Sequence, residues 1–139
     1  MSVRCLIVDD NESFRHEMNG LLQEQGIAVV GGAASSAEAF AQIAELHPEV
    51  VLVDIDLGAE SGLELVRGLH DGTNATHPPY LILISTHDES EYADLIEASP
   101  AIGFLAKTDL GAPAIRRMLG SLDASGLPEA RRSDGRRGT

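Results

Sequence analysis

Four short apolar runs punctuate the chain, and each stops at residues that carry charge or donate hydrogen bonds. Cys5-Leu6-Ile7-Val8 runs into Asp9-Asp10, and Val50-Val51-Leu52-Val53 into Asp54. Leu81-Ile82-Leu83-Ile84 runs into Ser85-Thr86, and Ile102-Gly103-Phe104-Leu105-Ala106 into Lys107. Runs of this length followed by helical spacing read as buried parallel strands of βα units. Ligands of an open α/β sheet bind outside the carboxyl ends of its strands. Four strands thus deliver their polar groups to one edge. Three carboxylates beside one ammonium there suit a divalent metal and a phosphoryl group.

The spacing predicts five βα units. A strand over about Val3 to Val8 is followed by a helix from Asn11 to Gln25, with Phe14, Met18, Leu21 and Leu22 on its apolar side and Gly26 as its stop. A second strand starts over Ile27 to Val30, and Gly31-Gly32 loosens its end. Ser36 is placed to cap a helix from Ala37 to about Leu46, which His47-Pro48 ends. After Asp54 comes a flexible loop through Gly58 and Gly62, then a helix carrying Leu63, Leu65, Val66 and Leu69, then a polar loop from Asp71 to Pro79. Asp88 to Ala98 reads as an acid-rich helix. The fifth strand is expected to end at Lys107, and Pro113 fits the first turn of a helix reaching Leu119 or Leu122.

The 139 residues suit one α/β domain over residues 1–123. Beyond it, residues 124–139 are rich in Gly, Pro, Ser and Arg and read as a basic, disordered tail. The formal net charge is -12. The tail holds Arg131, Arg132, Arg136 and Arg137 against Glu129 and Asp134, so residues 1–123 are more acidic still. Such a body has no basic face for nucleic-acid phosphates and favours cations and basic partners. The single cysteine, Cys5, lies in an apolar run and suits a small core residue. One thiol makes no internal disulfide, which points to a reducing compartment. With no signal peptide and no stretch long enough to span a membrane, a cytoplasmic placement is expected.

The ordered set Val8-Asp9-Asp10, Val53-Asp54, Ser85-Thr86 and Lys107 resembles the receiver domains of two-component response regulators over residues 3–122. Phe104, three before the lysine, matches the family's aromatic switch position, and Gly62, eight after Asp54, its loop glycine. Thr108 follows Lys107 where many receivers have proline, and with Asp109-Leu110 this is closest to the NarL/FixJ (LuxR-type) receivers.

The resemblance implies a flavodoxin-like, doubly wound sheet of five parallel strands in the order 2-1-3-4-5, with helices on both faces. It implies that Asp54 accepts a phosphoryl group from a histidine kinase or phosphotransfer protein. It implies Mg²⁺ bound by Asp10 and Asp54 directly, by Asp9 through water, and by the backbone carbonyl of Asp56. Lys107 would pair with Asp54 and then with a phosphoryl oxygen, and Ser85 would donate to another. Ser85 and Phe104 would form the switch. The face of the fourth helix, fifth strand and fifth helix would receive a partner or a second copy. No turnover of a separate substrate is implied. Among the histidines, His16, His47, His70, His77 and His87 show no metal-ligand spacing; His87 is expected near the site.

Two other readings start from the same residues. Asp54-Ile55-Asp56 resembles the nucleophile motif of haloacid dehalogenase-type phosphatases. In those enzymes the nucleophile comes first and the acidic pair last, whereas here Asp9-Asp10 comes first. Receivers also often precede a DNA-binding domain in transcription regulators. Residues 123–139 are too few and too polar to make one, so this chain alone is not expected to bind nucleic acid.

Overall fold

The computed structural model describes residues 3–57, 60–72, 79–86 and 93–120. The elements run β1 (Arg4–Val8), α1 (Glu12–Glu24), β2 (Ala28–Ala33), α2 (Ser36–Leu46), β3 (Val50–Asp54), β4 (Asp56–Leu57), β5 (Glu60–Ser61), α3 (Gly62–Gly72), β6 (Tyr80–Ser85), α4 (Ala93–Glu97), β7 (Gly103–Ala106) and α5 (Ala112–Gly120). Five strands form one parallel sheet in the order β2-β1-β3-β6-β7. With the small β4–β5 hairpin set apart, this is the expected order 2-1-3-4-5.

Side-chain alternation along the strands feeds two cores. Leu6, Val8, Val51, Val53, Leu81 and Leu83 point to one face, where Ala39 of α2, Leu65, Val66 and Leu69 of α3 and Ile96 of α4 cover them. Cys5, Ile7, Val50, Leu52, Ile82 and Ile84 point to the other, under Leu22 of α1 and Ala112 and Ile115 of α5. Every residue of β3 is buried, as a central strand covered on both faces requires.

Asn11 caps α1, its side chain accepting the Phe14 N–H, and Gly26 turns the chain away with φ +92°. A side chain at Gly26 would meet the Arg116 guanidinium. Just before it, Gln25 fastens α1 to α5. Its Oε1 accepts the Ala112 N–H at 2.7 Å, and its backbone oxygen accepts from Arg116 Nη2 at 3.0 Å.

Several expected boundaries shift. Ser35, not Ser36, caps α2: its hydroxyl accepts the Glu38 N–H while Glu38 Oε1 accepts the Ala34 N–H, a variant of the capping box. β2 does not loosen at Gly31-Gly32 but continues through both to Ala33, after a register shift opposite Cys5 and Leu6. Gly31 has no room for a β-carbon beside the Gln42 side chain. The stretch after Asp54 holds a hairpin, and α3 runs through Asp71 to Gly72. β7 ends at Ala106, and Lys107 opens a single 3-10 turn. Of the helix expected over Asp88 to Ala98, Ala93–Glu97 is helical. Gly58, His77, His87 and the tail over 124–139 lie outside the described residues. Among the described residues, no helix is long and apolar enough to cross a membrane.

Candidate functional site

The carboxyl edge of the sheet brings together the residues singled out by sequence. β1 ends in Asp9, fully buried, with Asp10 beside it and exposed. β3 ends in Asp54, 5% exposed. One carboxylate oxygen from each of Asp9, Asp10 and Asp54 lies within 4.8 Å of the others. Ser85 is buried at the end of β6, opposite Ala106 of β7. Lys107 reaches back over this edge. Its ammonium stands 2.5 Å from Asp9 Oδ2 and 3.1 Å from Asp54 Oδ2. Asp54 is the partner expected from sequence, and Asp9 is the nearer of the two.

Each group is fixed by its local backbone. Asp9 Oδ1 accepts the Asn11 N–H at 2.9 Å, and Arg15 donates to the Asp9 backbone oxygen at 2.6 Å. Asp54 Oδ1 accepts the Asp56 N–H at 3.0 Å, leaving Oδ2 for Lys107. Gly62, at the start of α3, lets the chain pass directly against this turn. A β-carbon there would overlap the backbone carbonyl of Asp54. The Gly62 N–H also donates to the Ile55 oxygen at 2.8 Å. The glycine expected in a flexible loop is therefore buried and fixed.

Burial pushes the Asp54 carboxyl up to about 6, with the neighbouring Asp9 charge adding to the rise, against the opposing pull of the Asp56 N–H and of Lys107. For Lys107, burial works to lower its pKa, but the contacts with Asp9 and Asp54 outweigh it and the net shift is upward. The site thus holds three acids against one ammonium, with Asp9 and Asp54 largely out of water. Asp9 Oδ2 is sealed from solvent and accepts no well-directed hydrogen bond, although the Lys107 ammonium is against it. Hard carboxylate oxygens clustered in this way, one of them under-coordinated, fit a small divalent cation. By contrast, burial pushes the Cys5 thiol up to about 12, which leaves it an inert core residue.

Asp56 joins the site through its backbone, and its side chain is exposed. That placement does not suit the acid-base role of a second Asp in a phosphatase motif. Phe104 packs against the face covered by α2, α3 and α4, half-buried. Lys107 turns instead toward Phe14, which packs with the opposite cluster. A groove of about 830 Å³ runs between α1 and β2, lined by Glu12, Arg15, His16, Val29 and Gly31 among others. None of the three clustered carboxylates lines it, so charge marks this site and volume does not.

Two contacts escaped the sequence reading. The Lys107 ammonium lies 4.2 Å from the centroid of the Phe14 ring, and Arg15 braces the end of β1. Both residues stand one helical turn beyond the acidic pair. That position is a usable signal, although the apolar spacing of α1 by itself marks Phe14 as core.

An open parallel sheet with buried acids and one lysine at its carboxyl edge defines a receiver-type α/β domain. The chain belongs to the response regulator receiver domain family, whose model its residues 5–117 match. It is 31% identical over 134 residues to the transcriptional regulatory protein BtsR of Escherichia coli, covering 91% of this chain and 54% of that protein. The chain therefore spans about half the length of that relative. Among solved structures, a LuxR-family two-component response regulator from an Aurantimonas species superposes with a TM-score of 0.73 at 25% identity, covering 92% of this chain and 89% of the other. The receiver domain of a putative NarL from Mycobacterium tuberculosis gives 0.70 at 26% identity, covering 86% and 98%.

Proposed function

We propose that this receiver takes a phosphoryl group onto Asp54 from the phosphohistidine of a histidine kinase or phosphotransfer protein, and that the new charge switches its output surface. The observation that carries this reading is Asp54 itself: buried, held at Oδ1 by the Asp56 N–H, and facing Lys107 at Oδ2.

The chemistry follows from the geometry. A carboxyl pushed up to about 6 is still mostly ionised at neutral pH, yet more basic than an ordinary carboxylate. An Asp54 oxygen forms the bond to phosphorus as the bond to the donor nitrogen breaks. Two unit charges 4 Å apart repel by about 4 kcal/mol at an effective dielectric near 20, so an anion approaching this acid cluster needs cationic partners. Lys107 supplies one and follows a phosphoryl oxygen. Asp9, Asp10 and Asp54, with the backbone carbonyl of Asp56, would hold Mg²⁺, which when bound neutralises charge between carboxylate and phosphoryl oxygens. Positioning and charge compensation make up most of phosphoryl-transfer catalysis, so the domain assists its own phosphorylation and dephosphorylation without turning over a separate substrate.

For output, Ser85 would donate to the phosphoryl group and draw the following loop inward, freeing space for Phe104 to turn toward the core. The face made by α4, β7 and α5 would then receive a partner or a second copy, in the cytoplasm. The domain is read as residues 1–123, with 124–139 as a basic tail or linker. The match to about half of a transcriptional regulatory protein supports a second reading, in which this receiver is the regulatory part of a longer DNA-binding protein.

Incubation with acetyl phosphate and Mg²⁺ should add one phosphoryl mass that hydroxylamine removes, and Asp54→Asn should abolish the addition. Stable, complete modification of Asp54→Asn would overturn the assignment.

A further inference from the structure

We propose that Phe14 is a positioning residue for Lys107: the face of its ring backs the ammonium and keeps it aimed across the acidic edge. The proposal rests on reading Lys107 as the partner of the phosphoryl group. A lysine is a point charge on a flexible four-carbon stem, and its three donors do not fix its direction. Carboxylates hold this one on one side, Asp9 at 2.5 Å and Asp54 at 3.1 Å. The ring adds a further contact, with its centroid 4.2 Å from the ammonium. The negative face of an aromatic quadrupole attracts a cation at this distance.

The ring is itself anchored. The Phe14 N–H donates to the Asn11 cap at 3.1 Å, the next residue, Arg15, is tied to the Asp9 backbone oxygen at 2.6 Å, and the side chain packs against the cluster under α1 and α5. The same turn of α1 therefore sets both the end of β1 and the support for Lys107.

This support differs in kind from the carboxylates. Once Asp54 carries a phosphoryl group, one of its oxygens is esterified and its pull on Lys107 changes. The attraction of a phenyl ring does not change between the two states. Phe14 is the constant partner, while the anionic partners of the ammonium are exchanged around it.

The test combines a rate with a spectroscopic signature. Phe14→Leu keeps an apolar side chain and removes the π face; it should slow phosphoryl uptake from acetyl phosphate about threefold to tenfold, the range of a partly desolvated cation–π contact. Phe14→Tyr should keep the parent rate. In the unphosphorylated protein the Lys107 ε-methylene protons should resonate upfield through the ring current, remain there in Phe14→Tyr, and move downfield in Phe14→Leu. Should Phe14→Leu fail to fold, a polyfluorinated phenylalanine at position 14 keeps the shape, weakens the π face and should slow uptake likewise. Unchanged uptake in these variants, or slowed uptake with the Lys107 methylenes unmoved by Phe14→Leu, overturns the proposal. A parent protein that takes up no phosphoryl group overturns the phospho-acceptor reading instead, and the Lys107 resonances still decide the contact.

Discussion

Each end of the sheet sets a cation against oxygen atoms, with opposite consequences. At the amino end, Arg4 of β1 donates to the backbone oxygens of His47 and Leu46, both at 2.6 Å. These are carbonyls that α2 leaves unpaired as it ends in the left-handed His47, with φ 49°. The acceptors are neutral, the guanidinium is partly in water, and it complements the negative end of the helix. At the carboxyl end, Lys107 meets two buried carboxylates with a third close by. One positive charge there is outnumbered, and burial removes the solvent that would offset the surplus. The first arrangement stabilises the fold, whereas the second holds repulsion that a bound cation would relieve. The acceptors and their solvation decide which outcome a cation gives.

The largest effect that would separate the two ends is expected from Gly62→Ala. Its β-carbon would meet the backbone of Asp54 and Ile55, which cannot yield as a flexible side chain can, so the change should cost more than about 3 kcal/mol and disable phosphoryl uptake, as urea unfolding and a phosphorylation assay would report. Lys107→Met should come next. It leaves the acids without their counter-charge and should destabilise the protein by about 2–3 kcal/mol at pH 7, less than a fully buried pair because the lysine is partly exposed. Added Mg²⁺ should then raise the melting temperature of the variant more than that of the parent. Equal responses would mean that the acid surplus is not what the lysine offsets.

Removing an acid should act in the opposite direction. The folded-state value for Asp54 is raised from 3.8 to about 6, so its contribution to stability is full below about 3.8 and is lost as pH rises through about 6. Asp54→Asn should therefore be more stable than the parent by about 2 kcal/mol at pH 7, with the difference growing between about pH 4 and 6 and level above. Denaturation over a pH series would show it, and a difference independent of pH would contradict it. The smallest effect belongs to the amino end. Arg4→Ala should cost about 1 kcal/mol, measured in urea, and leave the rate of phosphoryl uptake unchanged.

What the sequence showed best was this carboxyl edge. Asp9, Asp54, Ser85 and Lys107 are legible because each ends an apolar run, and strand direction and burial follow from the run alone. Less legible was anything that depends on how a helix docks. Phe14 sits on the apolar stripe of α1 like any core residue, and spacing along α1 does not show that its ring lies 4.2 Å from the Lys107 ammonium. The continuation of β2 through Gly31-Gly32 was missed because glycine propensity argues for a break. There, packing against Gln42 and Leu46 of α2 overrides propensity. The Ser35 cap was legible, since Ser35-Ser36-Ala37-Glu38 has the capping-box spacing for Ser35 and not for Ser36. The closer approach of Lys107 to Asp9 was not, because both acids end apolar runs and the sequence does not rank their distances to the ammonium.

The Gln25 fastening has a consequence for how this domain breathes. Local openings usually start where a helix end has nothing to lose, and the first turn of a helix, with its unpaired amides, is such a place. In α5 that turn is closed by a side chain from 87 residues away. Lifting α5 from its amino end would strand the Ala112 amide, the Gln25 carboxamide and the Arg116 guanidinium together. The exchange of the Ala112 amide with solvent deuterium therefore times a joint excursion of the end of α1 and the start of α5, and not the fraying of a single helix.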